Sequence, residues 1–98
     1  MTEKSRIETP LVRWAQNNGG IAAKLVLDSN ERGFPDRSLF MPDGILLLAE
    51  CKDAHGKPTP HQKRWLDRLE SRGHFVTIAK EITDIEELYA KALQVRGL

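Results

Sequence analysis

A chain of 98 residues with 15 Lys and Arg against 14 Asp and Glu carries a formal net charge of +1. That length is read as a single domain over residues 1–98 with a small core. The near-neutral charge excludes a partner gripped through global basicity, so any nucleic-acid contact must come from local patches. The lone cysteine, Cys51, excludes an intramolecular disulfide and points to a reducing, cytoplasmic setting. No membrane partner is expected, because the longest apolar run, Ile45 to Ala49, has five residues. The opening "MTEKSRIE" lacks the apolar stretch of a signal peptide.

The first element is a predicted helix over residues 5–17, with Ile7, Leu11, Trp14 and Ala15 on one face. Ser5 and Glu8 have capping-box spacing. Pro10 requires either a bend or a restart with Thr9 as N-cap and Pro10 at N1. "NNGG" ends the helix. "IAAKLVL" (21–27) is a predicted strand, "DSNERGFPD" (28–36) a loop, and "RSLFM" (37–41) a second strand. "PDG" (42–44) has hairpin-turn chemistry, since Asp-Gly tolerates positive φ. "ILLLAECK" (45–52) is apolar on both faces, as befits a central strand covered on both sides. After the loop 53–60, Thr59, Pro60 and Gln62 open a helix as N-cap, N1 and N3, and Gly73 ends it. Gln62, Trp65, Leu66 and Leu69 share one face of that helix. "HFVTIA" (74–79) is a strand, and Thr83 with Glu86 caps a final helix burying Ile85, Leu88, Tyr89 and Ala92. The order α-β-β-β-α-β-α describes an α/β domain with a mixed sheet flanked by helices.

Two Pro-Asp pairs precede the strand that ends in Glu50-Cys51-Lys52, and strand geometry chooses between them. Glu50 and Lys52 point to one face, roughly 7 Å apart along the backbone. Asp43 lies seven residues before Glu50, an extended distance of roughly 23 Å, at the opposite end of the sheet. An antiparallel hairpin centred near Asp43 folds residue 36 back beside residue 50, so Asp36 is the expected partner. Phe34, preceding Pro35, must be extended, which fixes how Asp36 enters. Two carboxylates so placed repel unless a cation or proton compensates. Oxygen donors suit Mg²⁺ or Mn²⁺, and a neighbouring lysine can orient a water or stabilise a developing phosphorane. The bland alternative is a solvated Glu-x-Lys ion pair. Pro-Asp at the hairpin-matched distance after a Gly-containing loop favours the functional reading.

These residues resemble the signature of the PD-(D/E)XK nuclease superfamily, and the wider pattern is similar to its VRR-NUC branch. The pattern runs "RIETPL", "RGFPDRSLF", "LLAECKDAHGKPTPHQKRWLDRL" and "GHFVTIA", across roughly residues 6 to 80. The resemblance implies a restriction-endonuclease-like fold and a metal-dependent DNA endonuclease using Mg²⁺ or Mn²⁺. It implies that Asp36, Glu50 and the main-chain carbonyl of Cys51 hold the metal and that Lys52 is the catalytic lysine. It also implies that Glu8, on the first helix, lies over the metal site and that Gln62 is the motif glutamine. Free-standing short members resemble phage-encoded homodimers acting on branched DNA such as four-way (Holliday) junctions, which implies a bacterial or phage-infected host cell. Cys51 departs from the aliphatic residue usual at that position, a change a carbonyl ligand survives.

Glu8 has a competing use in the Ser5 capping box, and Gln62 one as N3 of the Thr59 cap. Trp14 and Trp65 are expected in the core or at a dimer interface. His55 and His61, with Lys57, Lys63 and Arg64, are read as a rim contacting DNA phosphates or, more plainly, as a solvated loop. One cysteine and scattered histidines exclude a zinc site, and there is no Walker A stretch or nucleophile elbow. Cutting both strands of a junction needs two active sites, hence the expectation of a C2 homodimer. The rival from another class is a catalytically silent nucleic-acid-binding module with a nuclease-like fold.

Overall fold

The computed structural model describes residues 3–25, 27 and 32–98, and within the first helix the side chains from residue 6 onward. In chain order these are α1 (Glu3–Asn17), β1 (Ile21–Ala23), β2 (Arg37–Met41), a 3₁₀ turn (Pro42–Gly44), β3 (Ile45–Cys51), α2 (Pro60–Ser71), β4 (Phe75–Ala79) and α3 (Ile82–Arg96). The four strands form one sheet in the order β1-β2-β3-β4. The first two pairings are antiparallel and the β3–β4 pairing is parallel. This is the mixed α/β order expected from the sequence.

Alternation along β3 sorts its side chains into two layers. Ile45, Leu47, Ala49 and Cys51 join Ile7, Leu11 and Ala15 of α1 and Ile85, Leu88 and Ala92 of α3 in one core. Burying each Leu or Ile there stabilises the fold by about 1.5–3 kcal/mol. Trp14 packs against this core and meets Tyr89 edge-on at 5.5 Å. Leu48 and Glu50 face the opposite side, where α2 lies over β4 and contributes the buried Leu66. Phe34 meets Trp65 of α2 edge-on at 5.1 Å, and the Arg68 guanidinium stacks on Trp65 at 4.8 Å, so both tryptophans have partners within the chain.

The hairpin turn adopts the conformation that Asp-Gly favours: Asp43 has φ 65° and Gly44 φ 74°. Thr59 caps α2 as its sequence indicated, accepting from the Gln62 N–H at 3.2 Å while Gln62 Oε1 accepts from the Thr59 N–H at 2.8 Å.

The boundaries differ from the sequence reading in four places along the chain, the third of them at two strand ends. First, α1 begins at Glu3 and runs through Pro10 without restarting. Ser5 is therefore inside the helix instead of capping it, and its side chain lies outside the described residues. Pro10 leaves the Arg6 carbonyl without its usual helical N–H, a cost offset by the buried stripe of Ile7, Leu11 and Ala15. Second, β1 stops at Ala23, where the Lys24 ammonium turns back to Glu8 at 3.1 Å. Leu25 beyond it is exposed. Val26 and residues 28–31 of the anticipated strand and loop lie outside the described residues. Third, β3 ends at Cys51, and β4 begins at Phe75. Fourth, α3 starts at Ile82 and not after Thr83. Asp84 displaces the expected cap: its Oδ2 accepts from the Lys80 N–H at 2.8 Å and the Glu81 N–H at 3.0 Å.

Candidate functional site

The β2–β3 register ends at Arg37↔Ala49, so the next position outward sets Asp36 opposite Glu50. A direct bond marks this juncture: the Cys51 N–H donates to Asp36 Oδ2 at 2.8 Å. In an extended strand the N–H and C=O of one residue point to the same side. The Cys51 carbonyl therefore faces the same strand edge as the Asp36 carboxylate, where β2 has not yet begun. The Cys51 side chain stands out of the sheet plane, in the α1–α3 core. Glu50 is buried at 1% exposure on the α2 side of the sheet. Asp43 is held at the far end of the hairpin, its carbonyl accepting from Arg96 Nη2 at 2.9 Å. Of the two Pro-Asp aspartates, the structure brings Asp36 and not Asp43 to Glu50.

Asp36 is gripped from both faces of the sheet. On the α2 side, Gly33 lies with φ 85° against the start of α2, and a Cβ built there would fall 2.5 Å from the His61 carbonyl carbon and 2.6 Å from the Gln62 nitrogen. Only glycine fits that approach. Phe34 then packs on Trp65, and Pro35 is buried. On the α1 side, Arg37 Nε donates to Glu8 Oε1 at 2.9 Å. The two clamps fix the chain immediately before and immediately after Asp36.

Lys52 follows β3, its N–H donating to the Ala79 carbonyl at 3.0 Å. Gly56 turns back along its stem: a Cβ there would lie 3.2 Å from Lys52 Cβ. Lys52 lines an open cleft of about 410 Å³ together with Arg6, Asp53, His55 and Lys80.

Two expected site residues have partners of their own. Glu8 is buried, but its carboxylate meets Arg37 and Lys24 across α1, β2 and the end of β1. Among the described residues no three His, Cys, Asp or Glu side chains gather as a metal-holding group. The Gln62 side chain completes the Thr59 capping box, the use that competed with a site role in the sequence. Lys57, His61, Lys63 and Arg64 are exposed, and Lys63 lies 3.5 Å from Asp67. Of the basic loop, His55 alone lines the Lys52 cleft. Its other cations, Arg6 and Lys80, were missed in the sequence because they stand 46 residues before and 28 after Lys52. The parallel crossover carried a signal for Lys80: a β-α-β unit brings the C-terminal ends of both strands to one edge.

As a donor set, Asp36, Glu50 and the Cys51 carbonyl present hard oxygen alone, the chemistry of a small divalent cation completed by water.

No family model matches the chain. Among curated proteins it is similar to "Putative nuclease p44" of Acyrthosiphon pisum secondary endosymbiont phage 1, 40% identical over 78 residues that make up 80% of this chain and 83% of that protein. Among solved structures it is similar to one named "VRR_NUC domain", with TM-score 0.81, 27% identity, and coverage of 92% of this chain and 97% of that one. A second, "VRR_NUC domain protein", shares the fold at TM-score 0.68 and 16% identity over 96% and 90% of the two chains.

Proposed function

The chain belongs to the VRR-NUC branch of the PD-(D/E)XK nucleases, and from that premise we propose that it is a Mg²⁺- or Mn²⁺-dependent endonuclease hydrolysing phosphodiester bonds in DNA. The observation carrying this reading is the bond from the Cys51 N–H to Asp36 Oδ2, beside buried Glu50 and one residue before Lys52. Asp36, Glu50 and the Cys51 carbonyl would hold the ion. When bound, it supplies positive charge at the scissile phosphate and acidifies water there.

The chain's own groups do the rest. Asp36 and Glu50 orient the attacking water by accepting from it. The Lys52 ammonium stabilises negative charge growing on the phosphoryl oxygens. One P–O bond forms to the water oxygen, which releases a proton to solvent; one P–O ester bond breaks, and the leaving alkoxide takes a proton from solvent water. Glu8 acts one step back, fixing Arg37 and hence Asp36. Gln62 acts through the start of α2, against which Gly33 is seated.

Substrate and assembly extend the same reading. Symmetric cutting of branched DNA such as a four-way junction requires two copies of the site, and a C2 homodimer supplies them. The test is cleavage of labelled four-way junction, linear duplex and single strand, with Mg²⁺ or Mn²⁺ and with chelator, alongside sedimentation at the assay concentration. Metal-dependent cutting that favours the junction, by a dimer, is the expected result. Equal cutting of all three removes the selectivity, and no cutting by folded protein refutes the nuclease reading of this chain.

A further inference from the structure

The cleft beside Lys52 has an electrostatic character that the chain as a whole lacks. Among the described residues lining it, Arg6, Lys52 and Lys80 are three cations against one carboxylate, Asp53, whose Oδ1 accepts from the His55 N–H at 2.7 Å. The chain's net charge is only +1, so positive charge is concentrated at this place.

The fold explains the convergence. Cys51↔Ala79 is the last pair of the parallel β3–β4 ladder, so Lys52 and Lys80 are the next residues out on neighbouring strands. Adjacent parallel strands run about 4.8 Å apart. Two ammonium stems leaving them side by side repel, a cost reduced by an anion lying between. Each backbone is tied down at that point, Lys52 by its bond to Ala79 and Lys80 by its N–H to Asp84 Oδ2 at 2.8 Å. Lys80 Nζ reaches the Ala54 carbonyl at 3.4 Å, which leads its side chain over the 53–56 turn into the cleft. Arg6 enters from α1, one residue before buried Ile7. Open α/β sheets bind ligands beyond the carboxyl ends of their strands, which is where this cleft lies.

We propose that Arg6 and Lys80 form a phosphate clamp that holds the DNA strand by a phosphate flanking the scissile one. The clamp sets binding and register, whereas Lys52 acts on the reacting phosphate. This rests on the nuclease reading, and it displaces the exposed Lys57, Lys63 and Arg64 rim as the main phosphate contact. Phosphate contacts set affinity and its salt dependence without reading sequence.

The test is single-turnover cleavage against protein concentration at several salt concentrations, using wild type, Arg6→Gln, Lys80→Gln, the double variant, Lys80→Arg, and Lys91→Ala as a surface control. Both Arg6 and Lys80 are exposed, so the fold should tolerate their replacement, and melting curves check that it does. The proposal expects each Gln variant to raise the half-saturating concentration about tenfold, with the maximal rate held within about threefold. The double variant lowers the slope of log K against log salt by about one to two units. Lys80→Arg restores binding, and Lys91→Ala changes nothing. Unchanged half-saturation and salt slope in the double variant overturn the clamp while leaving the nuclease intact. Absence of cutting by wild type defeats the nuclease reading itself, and the clamp with it.

Discussion

Gly33→Ala tests how Asp36 is positioned, because glycine has no side chain to touch substrate or ion. A methyl at this position meets three backbone atoms of His61 and Gln62 at 2.5–2.6 Å, in a segment whose φ of 85° already disfavours any side chain. The left-handed conformation alone costs roughly 1–2 kcal/mol for alanine. Relieving the overlap requires the chain to move by roughly 1 Å relative to α2, since carbon atoms pack at about 3.5–4.0 Å. Asp36 is three residues on, and its bond to the Cys51 N–H is 2.8 Å long. A displacement of that size at a reacting centre costs on the order of 10²-fold in rate. The expected outcome is a loss of about 10²-fold in single-turnover cleavage, with stability lowered by about 1–3 kcal/mol and melting still cooperative. Cleavage within threefold of wild type, in a variant shown to carry the substitution, refutes the claim that the Gly33 contact with α2 aims Asp36.

Other consequences follow from the same contacts. Lys52→Ala should abolish detectable cleavage yet leave DNA binding within a few-fold in the presence of Ca²⁺; a variant that still cuts at more than a tenth of the wild-type rate contradicts the role assigned to the ammonium. Glu8→Gln should cost about 1–3 kcal/mol in urea unfolding, because it leaves partly buried Arg37 without its charged acceptor. Divalent-ion affinity in that variant should change by less than tenfold, whereas a direct ligand would lose more. Thr59→Ala should cost about 1 kcal/mol through loss of the α2 cap, lowering the melting temperature by about 4–8 °C.

The parts of the fold that were readable are those where one local rule acts alone. "PDG" dictated a turn at residues 42–44, and counting equal steps outward along the antiparallel hairpin placed residue 36 against residue 50, one step beyond the observed Arg37↔Ala49 pair. "TPHQ" dictated a helix start through two reciprocal bonds. What was hidden depends on competition or distance. Pro10 is tolerated inside α1 because buried residues on both sides outweigh one missing hydrogen bond. Thr83 lost the α3 cap to Asp84, whose carboxylate reaches two N–H groups at once. Glu8 was anticipated over the site, and its carboxylate meets Arg37 and Lys24, two cations far from it in the sequence. No spacing rule links Arg6 to Lys52; the α1 packing that joins them is a tertiary event.

Asp36, brought by the hairpin to Glu50, is the aspartate proposed to hold the ion. Calorimetric titration of Mn²⁺ into wild type, Asp36→Asn and Asp43→Asn tests it most directly, since the two aspartates share the same Pro-Asp context and differ in where the sheet puts them. Asp36→Asn is expected to lower affinity by at least tenfold, while Asp43→Asn binds as wild type does. Loss of binding in Asp43→Asn, or its retention in Asp36→Asn, would contradict it.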